Sequence, residues 1–260
     1  MQVLGCQFDI AWENKPANFD RVRALFKNVR VEPEALIVLP EMFSTGFSMQ
    51  VADIAEPMEG PTQQFLSQLA RETGAYVVGG VATRGADVRG RNEALVLDPL
   101  GREILRYCKL HPFSFGGEDQ YFARGDETCS FACGSFRIAP FICYDLRFPE
   151  IFRHQTRLGA QALVVIANWP ALRDSHWQTL LRARAIENQA YVIGVNRVGD
   201  DPNLTYAGHS LILDPRGETL AIAGESPQLI QANLVLETLT EYRQEFPALR
   251  DLRPEYFRAI

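Results

Sequence analysis

The sequence predicts an α/β fold, a four-layer α-β-β-α sandwich built from two similar halves. Three observations carry this. First, short apolar runs alternate with stretches of helical period along the chain. Second, the runs recur in one order. ALIVL at 35–39 is echoed by ALVVI at 162–166, AYVVG at 75–79 by AYVIG at 190–194, and LVLDPLG at 95–101 by LILDPRG at 211–217. Third, the runs are apolar throughout, the pattern of parallel strands buried on both faces. Each half reads strand, helix, strand, helix, strand, hairpin. Two sheets with helices on one face each must bury their bare faces on each other. A doubly wound single sheet is the alternative that the same local pattern allows.

In order, 3–9 alternates and reads as a strand. Residues 18–29 carry Phe19, Val22, Leu25, Phe26 and Val29 at helical spacing. Residues 35–39 form a buried strand, and 43–59 read as loop with Gly46 and Pro57. A helix is expected over 62–73, with Thr62 as N-cap and Gly74 past its end. Residues 76–81 are a strand. Residues 95–98 pair through a Pro99-Leu100-Gly101 turn with 103–107 as a hairpin. A long loop, 109–125, follows. The second half repeats the series, with 175–188 as the counterpart of the 62–73 helix. No linker-like segment divides the chain, so 1–260 is expected to be a single domain, with 236–260 a C-terminal extension. Pro247 and Pro254 interrupt any long helix there.

The composition is that of an ordinary globular protein: 260 residues, 47% apolar and 22% charged, with net charge -6. No run of Lys or Arg occurs, which argues against nucleic acid and anionic membranes as partners. The five cysteines, Cys6, Cys108, Cys129, Cys133 and Cys143, are odd in number and sparse. They point to a reducing cytoplasm rather than a disulfide framework. Cys129 and Cys133 lack the second ligand pair that a zinc site needs, so no metal is expected. The start MQVLGCQFDI has no basic segment or long apolar stretch. No apolar run of about 18 residues occurs, so neither a signal peptide nor a transmembrane helix is expected.

Ligands gather at the carboxyl ends of strands in sheets of this kind. Glu41 follows one such strand, Asn168 and Trp169 follow its counterpart, Cys143 ends IAPFI, and Lys109 follows the first hairpin. All could face one cleft between the sheets. A cysteine in an apolar strand is by itself usually core. A free thiol has a pKa near 8.5 and needs a base or cation to act as a nucleophile. Glu41 could take the proton. Lys109 could balance the carboxylate and stabilise an oxyanion, with the Tyr144 N–H as a second donor. Such a set suits attack on an amide or nitrile carbon and formation of a thioester. His111, His154, His176 and His209 would permit a cysteine-protease reading, but no protease signature surrounds Cys143.

The motifs VLPEMF at 38–43, YCKLHPF at 107–113, FICYDLRFPE at 141–150, NWP at 168–170 and HWQTLLRARAIENQAYV at 176–192 resemble the nitrilase (carbon-nitrogen hydrolase) superfamily. Within it, LPEMFSTGF, CYDLRFPE and the NWP-to-YV stretch resemble the omega-amidase branch, which hydrolyses the terminal amide of 2-oxo acids such as 2-oxoglutaramate. The resemblance implies the four-layer fold and a homodimer. It maps the family's triad onto Glu41, Lys109 and Cys143, and a second glutamate onto Glu118 in GGEDQYFARG. Tyr144, Trp169 and Pro170 are expected to line the substrate pocket. A small amide and water are the implied partners, and no cofactor is implied.

A dicarboxylate monoamide also needs a donor for its free carboxylate. Arg173 and Arg197 are the candidates, while Arg147 and Glu150 are expected to pair structurally. Other readings are an N-carbamoyl amine amidohydrolase, an aliphatic amidase, a nitrilase, or a non-catalytic binding protein on the same fold. Whether the extension packs on the body or crosses to another subunit is open in the sequence.

Overall fold

The first half of the chain forms strands β1 (Gln2–Gln7), β2 (Leu36–Val38), β3 (Tyr76–Arg84), β4 (Gly90–Leu97) and β5 (Glu103–Cys108). Between them run helices α1 (Lys15–Phe26), α2 (Val51–Ile54) and α3 (Pro61–Thr73), and α4 (Glu118–Tyr121) comes after β5. β6 (Phe131–Cys133) closes that half, and the second runs through β7 (Phe136–Ile142), α5 (Pro149–Arg157), β8 (Ala162–Ala167), α6 (Asp174–Asn188) and β9 (Tyr191–Asn196). A small hairpin follows, β10 (Val198–Asp200) with β11 (Thr205–Ala207). Strands β12 (Leu211–Leu213), β13 (Thr219–Ile222) and β14 (Gln228–Asn233) and helix α7 (Leu236–Glu245) complete the chain. The structure, a computed structural model, describes residues 1–85, 88–253 and 255.

The two halves fold alike. One sheet has the order β14-β1-β2-β3-β4-β5 and the other β13-β12-β9-β8-β7-β6. In each, three successive strands are parallel and a hairpin extends the edge antiparallel. The sixth strand of each sheet is exchanged between halves. β6 follows the first hairpin but pairs with β7, and β14 follows the second hairpin but returns to pair with β1. That exchange, not a linker, joins the halves.

Side-chain alternation along the strands separates the layers. Leu4, Cys6, Ile37, Leu39, Val77 and Leu95 pack outward with Val22 of α1 and Phe65, Leu66 and Leu69 of α3. Their neighbours Val3, Leu36, Val38, Val78, Ala94 and Val96 turn inward to the core shared with the second sheet. On the far side, Trp177 and Leu181 of α6 close against the glycine face of β9 at Gly194. The four-layer sandwich is therefore the fold. The hairpin turns are equivalent as well, with Gly101 at φ +74 and Gly217 at φ +83, a region that favours glycine.

Three local expectations are corrected. The 43–59 loop contains the single turn α2, and the 109–125 loop contains a 3-10 turn at Ser114–Gly116 and α4. Thr62 is not the N-cap of α3. Gly60 holds that position and Pro61 opens the helix. The Glu56 carboxylate instead accepts the Thr62 N–H at 2.8 Å, and the Thr62 hydroxyl lies 2.7 Å from Glu56. A carboxylate beside a helix N-terminus satisfies its free N–H groups and complements its dipole.

α7 packs on its own body. Leu239 is buried, and Arg243 donates to the carbonyls of Gln189 (2.9 Å) and Ala160 (3.1 Å). The helix ends before Pro247. Pro254 and Phe257 lie outside the described residues. Among the described residues no helix is long and apolar enough to cross a membrane.

Candidate active site

Glu41 sits where β2 gives way to a turn through Leu39 and Pro40, and it is fully buried. Gly80 of β3 makes room for it. A Cβ there would stand 2.6 Å from the Glu41 Cα and closer still to the Met42 nitrogen. Only a glycine lets the turn lie this close on the strand. Lys109 is the first residue after β5, and its N–H donates to the Asn92 carbonyl of β4 at 2.9 Å. Glu118 opens α4, which folds the long loop back over the strand end.

These three side chains meet. Lys109 Nζ lies 2.9 Å from Glu41 Oε1, and 3.1 and 2.8 Å from Glu118 Oε1 and Oε2. The Asn92 Nδ2 amide donates to Glu41 Oε1 at 2.7 Å and to Glu118 Oε1 at 2.8 Å. Glu118 Oε2 also accepts the Phe113 N–H at 2.6 Å. Glu41 Oε2 accepts the Asn168 N–H at 2.8 Å, and the Glu41 carbonyl accepts from the Asn168 side-chain amide at 2.7 Å. All these polar groups are buried, so each charge needs its partner.

Burial works against the charge of Lys109, but Glu118 and Glu41 outweigh it and hold the ammonium above the ordinary lysine range. Burial raises the Glu118 carboxyl; Lys109 opposes this, and the negative Glu41 adds to it.

Cys143 follows β7 and starts a 3-10 turn, Cys143–Arg147. Its φ is +46, a strained backbone angle for a residue with a Cβ. Asp145 pins this elbow. Its buried carboxylate accepts the Ile142 N–H at 3.0 Å, the Tyr107 hydroxyl at 2.7 Å and the His111 N–H at 3.0 Å, and lies 2.9 Å from the His111 ring. Cys143 is half-buried, and its sulfur lies 3.8 Å from the Asn168 carbonyl. Burial pushes its thiol well above the ordinary range, and a hydrogen bond to Glu41 and the negative charges of Glu41 and Glu118 add to this, with Lys109 opposing. These influences favour the neutral thiol over the thiolate.

Above Cys143 opens a narrow cleft with about 40 Å³ of interior space, open to solvent at its mouth. Tyr144, Trp169 and Pro170 line it. Phe47, Phe113 and Tyr206 add aromatic walls, and Arg147 and Arg173 supply the cations. Arg147 lies 4.8 Å from the Trp169 ring and 3.3 Å from His176, so its contacts are not the expected ones with Glu150. Arg197 is outside the cleft. It is wholly buried, pairs with Asp9 at 3.0 Å and donates to three backbone carbonyls. Its guanidinium covers the back of the Tyr206 ring at 4.5 Å.

The structure thus gathers Glu41, Lys109, Glu118 and Cys143 at one floor. Asn92 and Asp145 went unrecognised in the sequence. Asn92 stands between Arg91 and Glu93, where no local signal marks it, and only its burial in the fold requires it to find partners. His111 meets Asp145 and stacks on Phe148 at 3.8 Å, His176 meets Arg147, and His209 lies 2.8 Å from Asp174. Among the described residues no group of three His, Cys, Asp or Glu is arranged to hold a metal ion.

The profile of the carbon-nitrogen hydrolase family matches residues 5–244. The omega-amidase YafV of Yersinia enterocolitica is 44% identical over 248 residues, 94% of each chain. The 2-oxoglutaramate amidase of Bacillus subtilis (strain 168) is 35% identical over 259 residues, 98% of this chain and 99% of its own. A solved structure of a CN-hydrolase superfamily protein from Xanthomonas campestris, with an arsenic adduct in its active site, superposes at a TM-score of 0.92. It is 35% identical, with 97% of both chains covered. Fold and sequence together define an enzyme that hydrolyses carbon–nitrogen bonds. The chain belongs to the carbon-nitrogen hydrolase family.

Proposed function

We propose that the protein is an omega-amidase that releases ammonia from the terminal amide of a small 2-oxo dicarboxylate monoamide such as 2-oxoglutaramate. The observation that carries this reading is a thiol elbow over a buried Glu41-Lys109-Glu118 cluster, in a cleft lined by Arg147 and Arg173. The cations suit the free carboxylate of the substrate, and the aromatic walls suit its short carbon chain. The names of the relatives support the same substrate class.

Glu41 takes the thiol proton as the Cys143 sulfur attacks the amide carbon. Charge moves to the carbonyl oxygen, where the Tyr144 N–H and Lys109 Nζ stabilise it. Lys109 frees an N–H for this by releasing its longer contact, 3.1 Å to Glu118 Oε1. The carbon–nitrogen bond then breaks, and the proton held by Glu41 leaves with ammonia. Water adds to the thioester, with Glu118 or Glu41 accepting its proton. The carbon–sulfur bond breaks, and the acid departs as the thiol is reprotonated. Five free cysteines support a reducing cytoplasm as the compartment, and the family resemblance supports a homodimer.

The test is ammonia release from 2-oxoglutaramate, a simple nitrile and an N-carbamoyl amino acid in parallel, with mass spectrometry of the trapped acyl-enzyme. Preference for 2-oxoglutaramate and an acyl adduct on Cys143 are expected. Preference for either other substrate overturns the substrate class, and an adduct elsewhere overturns the nucleophile.

A further inference from the structure

Asn92 is an uncharged member of the buried cluster, and it stands opposite Lys109 across the β4–β5 pair. The Lys109 N–H bonds to the Asn92 carbonyl, so both side chains emerge on the same face of the sheet. Their heads then span the same two carboxylates. Glu41 Oε1 accepts from both Lys109 and Asn92, and so does Glu118 Oε1. The four groups close a ring in which two donors alternate with two acceptors. The amide orientation follows from the chemistry. A flipped amide would set its oxygen against two carboxylate oxygens.

A lysine alone leaves one positive charge between two buried carboxylates. Like charges that close share a proton, and one of the two is then neutral near the working pH. Such sharing would block the base that the thiol needs. An amide differs from a second lysine or a histidine because it donates one hydrogen to each carboxylate and never titrates. It also holds Glu41 Oε1 toward Lys109, which leaves Oε2 to the Asn168 N–H.

We propose that Asn92 is a positioning residue that keeps Glu41 and Glu118 ionised together and aims Glu41 at Cys143. This rests on the reading of Glu41 as the base of the amidase. The titratable groups facing the pair are Lys109 from the end of β5 and Cys143 from the elbow, and Tyr206 from β11 faces Cys143 in turn. Tyr206 is committed to Asp201 at 2.6 Å, and Lys109 stays charged, so neither replaces the amide. Removing one charge-assisted hydrogen bond from each carboxylate favours its protonated form by about one pH unit.

The experiment compares the wild type with Asn92→Leu, which keeps the volume and loses both donors, and Asn92→Ser, which can donate to one carboxylate only. Two pH profiles are recorded: kcat/KM for amide hydrolysis and the rate of Cys143 alkylation by iodoacetamide. Asn92→Leu is expected to move the acid limb of both up by about one pH unit, a roughly tenfold loss on that limb, with Asn92→Ser between. Limbs that coincide with the wild type, with only amplitude or melting temperature lowered, overturn the proposal. Should Asn92→Leu fail to fold, the serine variant decides by the same criterion. Alkylation needs no substrate. A shifted alkylation limb without 2-oxoglutaramate hydrolysis therefore rejects the substrate reading and keeps this one.

Discussion

The hydroxyl of Tyr107 donates to the Asp145 carboxylate at 2.7 Å and so ties the strand that leads into Lys109 to the elbow that carries Cys143. Asp145 holds the chain on both sides of Lys109, since His111 bonds to it as well. Two segments that bring chemistry from different sheets are thereby set at a fixed distance. Tyr107→Phe is expected to cost about 1–2 kcal/mol of stability, the range for a hydrogen bond to a charged group. It should lower kcat several-fold with little change in KM, because the cleft walls stay in place. Urea melts and steady-state kinetics check this.

Cys143→Ala should abolish ammonia release while the protein keeps its melting temperature within a few degrees. The sulfur is half-buried at the cleft floor, and it is the side chain, not the backbone turn, that is removed. Ammonia production and far-UV circular dichroism decide it. Residual turnover near the wild-type rate would remove Cys143 from the mechanism.

Arg147→Ala and Arg173→Ala should each raise KM for 2-oxoglutaramate about tenfold, equivalent to ~1.4 kcal/mol of lost charge pairing. A short neutral amide should be affected far less, since it lacks the carboxylate. The ratio of kcat/KM between the two substrates is the readout. Equal losses on both would assign the arginines to the cleft wall alone.

Asp98 supplies the pH prediction. It braces the first hairpin turn, accepting the N–H groups of Leu100 and Arg102 at 2.9 Å each and the Arg102 guanidinium at 2.7 Å. Burial works to raise its carboxyl, but Arg102 and the two backbone donors outweigh it and hold it below the usual 3.8. A carboxyl lowered in the folded state adds stability above its unfolded pKa and loses it as pH falls through the folded one. Arg102 is mostly solvated, so the contribution is screened to about 1 kcal/mol. Asp98→Ala should lower stability by that amount at pH 7, and the difference should shrink as pH falls below the usual carboxylate range. Urea melts across that range test it.

The repeated architecture is plain in the sequence because its carriers are local. ALIVL and ALVVI are apolar at every position, so no amphipathic assignment fits them. The Asp-Pro-x-Gly turns at 98–101 and 214–217 write the hairpins directly. Glu41, Lys109 and Cys143 are legible as candidates because each ends or follows a readable strand. Arg197 is a candidate in the sequence but not in the fold, because its partner, Asp9, lies 188 positions away and nothing beside Arg197 announces it. Arg147 was read through its neighbour Glu150, yet its surroundings come from Trp169 and His176.

Strand and helix periods, turn residues and motif order are set by residues a few positions apart, so they can be read along the chain. Which polar groups share a proton or a cation is set by contacts such as Glu41 to Asn168, 127 residues apart, and Asn92 to Glu41, 51 apart. Those depend on strand register and on how two sheets settle face to face. A buried charge is tolerable only where that packing delivers a partner, and the folded arrangement alone names the partner.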